Sequence, residues 1–159
     1  MRFLLPFFQW TDRTWLNAAI NGSKWLFPAI EAVHIVALCV LFGAIVMLDL
    51  RLFGLTFRSR PVRYLADELA PWTFCSLIIT LVTGALLFSS EAMKSYVSLP
   101  FRLKIVFLFA AILFQYTIYR RVIDADAIDQ EPRWGKLVAT VSLVLWFGVG
   151  WGGRGIGFF

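Results

Sequence analysis

Four stretches of the chain contain no Asp, Glu, Lys or Arg: residues 32–48, 69–90, 105–119 and 137–153, which are 17, 22, 15 and 17 residues long. A helix needs about 20 mostly apolar residues to cross about 30 Å of hydrocarbon. The second stretch reaches that length unaided. The first must run from about Trp25 to Leu48 and so includes Glu31 and His34. The third must begin near Pro100 and so includes Arg102 and Lys104. Of the 159 residues, 60% are hydrophobic and 16% charged, against roughly 45–50% and about 25% in soluble domains. That balance excludes a soluble globular domain. The pattern predicts an all-α integral membrane four-helix bundle, one domain over 1–159, with spans at about 25–48, 69–90, 100–120 and 137–153.

Ahead of the first span, Phe3, Leu4, Phe7, Phe8, Trp10, Thr11 and Trp15 fall on one side of a helical wheel. Gln9, Asp12, Arg13 and Asn17 fall on the other. This predicts an amphipathic helix over about 3–18 lying in the bilayer interface. Pro6 suits its first turn, and Asn21-Gly22-Ser23 ends it. The apolar run from Phe3 to Phe8 is too short for a signal peptide.

The loops between spans one and two and between spans three and four carry eight Lys and Arg. The other side carries five once Arg102 and Lys104 are assigned to the span. Basic residues favour the cytoplasmic side, which predicts a multi-pass protein of a bacterial inner membrane with both termini on the periplasmic side. Next to apolar spans, the net charge of +5 reflects topology and lipid headgroups. The partner is thus the lipid bilayer, not nucleic acid. Cys39 and Cys75 form no ligand spacing, and each is expected as a small buried apolar side chain. The seven tryptophans read mostly as interfacial belt residues. Asp49 and Arg51, at the inner end of the first span, read as a structural ion pair.

With this topology Glu31, His34 and Lys104 lie at similar depth near the outer leaflet, and the fourth span brings Trp151 and Arg154 to the same face. Glu31, His34, Leu38, Leu41, Ile45 and Asp49 form one stripe on the first span. Lys104, Leu108, Ala111, Gln115 and Tyr119 form another on the third, with Arg102 nearly opposite. Polar groups cannot be left unsatisfied in hydrocarbon, so both stripes are expected to face the bundle interior. Gly43, Gly84 and the glycines around 148–157 suit close helix approach.

Converging ionisable groups inside a membrane mark a functional site. A neutral imidazole in a bundle core is an axial ligand for heme iron. Here His34 would ligate, and Lys104 would complete the coordination as a free amine or pair with a propionate, as Arg102 or Arg154 would. Glu31 would orient the His34 ring through its other nitrogen. The alternatives are a packed, hydrogen-bonded intramembrane histidine or a proton relay, a snorkelling Lys104 and a headgroup-anchoring Arg154.

Glu31-Ala-Val-His34, Gly43 and Asp49-Leu-Arg-Leu-Phe53 resemble the first helix of HemJ-type protoporphyrinogen oxidases. The similarity continues with Thr83-Gly84 and with Phe101-Arg-Leu-Lys104. Related patterns occur in CopD-like membrane families, and the whole chain, with its terminal Gly153-Arg154-Gly155-Ile156-Gly157, resembles a bacterial family of four-helix membrane proteins. The resemblance covers about residues 28–120. It implies heme b held by His34 of the first helix and Lys104 of the third. The chain has no second histidine, and it adds the interfacial helix and the Arg/Gly-rich end, so the resemblance implies heme binding more than the HemJ reaction.

The leading expectation is a heme b membrane protein with an electron-transport or oxidoreductase role toward a lipophilic partner, a quinone or a porphyrin. The competing expectation is a heme-free accessory subunit of a larger membrane complex, and a homo-oligomer is compatible with either. No Ser/His/Asp set, phosphate-binding loop or carboxylate dyad is present, which disfavours hydrolases and nucleotide enzymes.

Overall fold

Long apolar runs without helix-breaking pairs leave helix as the one way to satisfy every backbone group within a segment. The computed structural model describes residues 5–56, 59, 61–92, 95, 98–124 and 132–155. It contains α1 (Leu5–Asp12), α2 (Trp15–Gly22), α3 (Leu26–Leu52) and α4 (Val62–Ser90). Next comes α5, which runs Leu99–Phe114, widens into a π-turn at Gln115–Tyr119 and resumes over Arg120–Asp124. The last helix is α6 (Pro132–Gly155). Among the described residues four helices are long and apolar enough to cross a bilayer, namely Leu26–Leu52, Val62–Ser90, Leu99–Ile123 and Arg133–Gly153. The chain is a multi-pass membrane protein built as an all-α four-helix bundle.

Helix ends follow local chemistry. At the end of α3, Gly54 adopts φ 77°, and Leu55 N–H reaches back to Leu50 O at 3.0 Å while Gly54 N–H donates to Arg51 O at 2.9 Å. This is a Schellman turn, which needs the left-handed glycine. At the start of α5 the Ser98 hydroxyl accepts from Phe101 N–H at 3.3 Å, with Pro100 in the first turn. The helices outrun the charge-free stretches. Val62 begins α4 seven residues before Leu69, and Arg63, Asp67 and Glu68 lie within its first two turns. Charged side chains reach the headgroups while the backbone stays helical below them.

The interfacial segment departs from a single helix over 3–18. It is broken at Arg13-Thr14, where Thr14 is extended at ψ 153° and its hydroxyl donates to Thr11 O at 2.7 Å; Phe3 and Leu4 lie outside the described residues. A Thr side chain that binds its own backbone competes with helix. The break lets α2 fold over the end of α4, where Asn17 donates to Ser89 O at 3.0 Å and Asn21 to Ser90 O at 3.1 Å. These are the carbonyls that a helix C-terminus leaves unpaired. Trp10, Trp15 and Trp25 stay exposed at this end. Phe8 meets Phe88 edge-on at 5.3 Å, and Phe88 stacks on Phe101 at 5.4 Å.

The bundle is two hairpins, α3 with α4 and α5 with α6, joined along α3 and α6. One core layer combines Leu41, Ile45, Leu77, Ala111, Trp146 and Val149; the other surrounds Tyr119 with Leu48, Leu52, Val62 and Val138. Trp146 is 3% exposed and belongs to the core, unlike the belt position expected of it. Cys39 and Cys75 are free and exposed on α3 and α4, not buried as expected of them. By contrast, α4 and α5 meet mainly at their ends, through Phe88 and Phe101 and through residues 120–124.

Two glycines set the α5–α6 distance. A Cβ on Gly148 would stand 2.6 Å from the Phe107 ring, and one on Gly152 would stand 2.8 Å from Lys104 Cβ and 3.0 Å from its backbone N and Cα. Gly43 and Gly150 have nothing within 4 Å, so the close approach expected at Gly43 is absent. Gly152→Ala should therefore destabilise the bundle by about 1–3 kcal/mol, because backbone cannot rotate away from an added methyl. Gly150→Ala, with the same gain in helix propensity and no contact, should be neutral or stabilising. Thermal unfolding of both variants in detergent checks this; equal stability would show that α5 and α6 separate freely at Gly152.

Candidate functional site

His34 lies eight residues beyond Leu26 in α3, about 12 Å into the bundle at 1.5 Å per residue. It is buried on the same face as Leu41, Ile45 and Asp49, at 7% exposure. Its Nδ1 lies 2.8 Å from Thr83 Oγ1 of α4. The Thr83 hydroxyl has one proton, and the Ile79 carbonyl 2.6 Å away takes it. With that proton engaged, Thr83 Oγ1 is open to accept from Nδ1–H in the tautomer that leaves Nε2 its lone pair. This assignment of the tautomer follows from the hydrogen-bond network. Gly84 makes the approach possible, since a Cβ there would stand 3.3 Å from His34 Cε1. The Thr80 backbone also hydrogen-bonds the ring, while the buried Thr80 Oγ1 has no partner among the described residues.

Lys104 enters from α5, five residues beyond Leu99. Its backbone presses on Gly152 of α6, and Gly153 leaves room beside its Nζ, which a Cβ there would approach to 3.5 Å. The ammonium group lies within electrostatic range of His34. The imidazole and the amine, on residues 70 positions apart, thus lie within electrostatic range of each other. Glu31 does not join them: it is exposed on α3, and Thr83 holds the ring nitrogen that Glu31 was expected to hold. Arg102 is half-buried, two residues from Lys104 and so on another face of α5. The backbone of Arg154 lies in the last turn of α6, and its side chain is outside the described residues.

A second polar meeting lies toward the other end. Asp49 is wholly buried, and the Tyr119 hydroxyl donates to its Oδ1 at 2.8 Å. Among the described residues Asp49 Oδ2 and the buried Oγ of Ser142 have no partner within ordinary hydrogen-bond geometry, and Ser142 adjoins the carboxyl group from α6. The expected pairing with Arg51 gives way because residues two apart on a helix face different directions. Asp49 and Tyr119 close the inner ends of the two stripes, and that shared position was the sequence signal for their contact.

A family model matches residues 7–159, almost the whole chain. The chain belongs to DUF6644. That family is described as one of unknown function. No curated protein and no solved structure matches the chain. The DUF6644 match takes in both polar meetings, the residues around His34 as well as Asp49, Tyr119 and Ser142.

What this DUF6644 site offers chemically is one imidazole with a fixed ring and one primary amine. Among the described residues no group of three or more His, Cys, Asp or Glu is placed to hold a metal ion. A protein-built metal cage needs such a group, whereas a porphyrin iron takes its other ligands from the macrocycle. A ring anchored through Nδ1 with Nε2 unprotonated is how ligating histidines are held. The site's donors are thus one imidazole nitrogen and one primary amine.

Proposed function

We propose that this chain binds heme b and passes electrons between it and a membrane-soluble partner, a quinone or a porphyrin. The observation that carries the proposal is the contact of His34 Nδ1 with Thr83 Oγ1 at 2.8 Å, which anchors the ring through Nδ1 and supports Nε2 as the ligating nitrogen. Lys104, from the facing hairpin, would serve as the second ligand or pair with a propionate, as would Arg102 and Arg154. Bound heme would supply one-electron chemistry. The chain's own residues hold the imidazole in orientation, supply the neighbouring amine and exclude water with apolar helices. The resemblance to HemJ-type proteins, carried by the motifs around His34, Thr83-Gly84 and Lys104, implies the same reading.

The test is the absorption spectrum of the detergent-purified protein, oxidised and reduced, with a pyridine hemochrome assay. A Soret band and reduced α and β bands at about one heme per chain support the proposal. A protein that stays colourless after hemin addition removes it and leaves the accessory-subunit reading in front.

We further propose that both termini face the periplasm of a bacterial inner membrane. Eight Lys and Arg flank the α3–α4 and α5–α6 connections, and the cytoplasmic side retains such residues. The His34 site then lies toward the outer leaflet. A phosphatase fused after residue 159 should be active and a fluorescent protein fused there dark; the reverse pair of results inverts the topology.

A further inference from the structure

Where α4 and α5 diverge, at the end of the bundle away from His34, they leave a cleft of about 340 Å³. Leu48 of α3 forms its floor, with Leu69, Pro71 and Phe74 on one wall and Tyr116 and Ile123 on the other. Both walls are irregular helix. Pro71 has no N–H to return to the Asp67 carbonyl, and the opposite wall is the π-turn Gln115–Tyr119. Such π-turns inside α-helices recur at functional sites.

Asp67, Thr73 and Arg120 line the cleft toward the bundle end, and two acceptors, on Gln115 and Tyr119, lie among its lining residues. Gln115 lines it, and Gln115 Oε1 is buried with no hydrogen-bond partner among the described residues. Tyr119 lines it too, and its one hydroxyl proton is committed to Asp49, so toward the cleft its oxygen can only accept. A buried acceptor left unpaired costs about 1–3 kcal/mol, which a ligand O–H would recover. The cleft lies at membrane depth between two spanning helices, and Ala70 and Phe74 beside it are exposed on the outer surface of α4. Entry is therefore from lipid. Its volume is at the small end of the roughly 300–1,000 Å³ usual for ligand sites, enough for one substituted ring and too small for a porphyrin.

We propose that the α4–α5 cleft binds the hydroxylated ring of a membrane-soluble phenol or hydroquinone, with Gln115 Oε1 accepting its hydrogen bond and its apolar tail remaining in the lipid. The site stands on the cleft and its acceptors, and it holds whether or not heme is bound at His34.

The test uses a redox-inert pair of probes, 4-decylphenol and its methyl ether 4-decylanisole, which differ in the single O–H. Each is titrated into the full chain in lipid nanodiscs, with empty nanodiscs as reference. Decylphenol should bind saturably at one per chain and at least tenfold more tightly than decylanisole. Gln115→Leu should abolish that preference. Ala70→Trp, made at an exposed position at the cleft mouth, should weaken binding of the phenol at least tenfold, and Val106→Trp on the lipid face of α5 should leave it unchanged. Ala70→Trp keeps the test decisive if Gln115→Leu does not fold. Equal binding of the two probes, or phenol binding indifferent to Ala70→Trp, overturns the proposal.

Discussion

Purified His34→Ala is expected to be colourless under conditions in which the unmodified chain carries a Soret band. His34 supplies the one imidazole of the chain, and alanine removes the nitrogen while leaving a helix-favouring residue in α3. Loss of colour should therefore come without loss of helix, which circular dichroism reports. Two further variants separate ligation from simple packing. Thr83→Val keeps the imidazole but removes the acceptor 2.8 Å from Nδ1, and such outer-shell changes lower metal affinity by about 10–100-fold. It should retain colour at saturating hemin and lose it on dilution. Lys104→Met should change the band positions or the reduction potential while colour persists. A His34→Ala protein with an unaltered Soret band would exclude His34 as the ligand.

The second large effect belongs to Asp49. Asp49→Ala should destabilise the bundle by about 2–4 kcal/mol, since it leaves the buried Tyr119 hydroxyl unpaired and opens space around it. Asp49→Asn keeps the oxygen that accepts from Tyr119 and presents an NH₂ to Ser142, so its cost should stay within about 1 kcal/mol. Tyr119→Phe should fall between them, because it removes one hydrogen bond and preserves the ring packed against Phe114 at 6.3 Å. Unfolding in detergent–SDS mixtures gives the order. If Asp49→Ala and Asp49→Asn were equally stable, the carboxyl group would have no structural role.

The four spans were legible from charge spacing because a single charged residue in hydrocarbon is costly enough to mark where a helix can and cannot lie. The two inward stripes were legible for the same reason, and burial of Leu41, Ile45, Asp49, Ala111 and Tyr119 agrees with them. The partners of individual polar groups were not. Thr83 reaches His34 from another helix, and its hydroxyl bonds its own helix at Ile79 O, which reads in sequence as an ordinary intramembrane threonine. The orientation of Trp146 escaped because tryptophan suits both core and interface. The break at Thr14 depends on one side chain bonding the backbone three residues back, a choice that helical periodicity does not encode. The cleft between α4 and α5 arises from how unequally the hairpins pack, a property of the assembled bundle.

The seam between the hairpins has a consequence for biogenesis. His34 and Thr83 belong to the first hairpin, so the imidazole is oriented as soon as α3 and α4 have paired. Asp49 belongs to that hairpin as well, but Tyr119 and Ser142 belong to the second. Until the second hairpin docks, the first carries an acid in the membrane without its partner, a state the bilayer penalises. Docking of α5 and α6 supplies that partner, the Tyr119 hydroxyl, and the same event carries Lys104 into electrostatic range of His34.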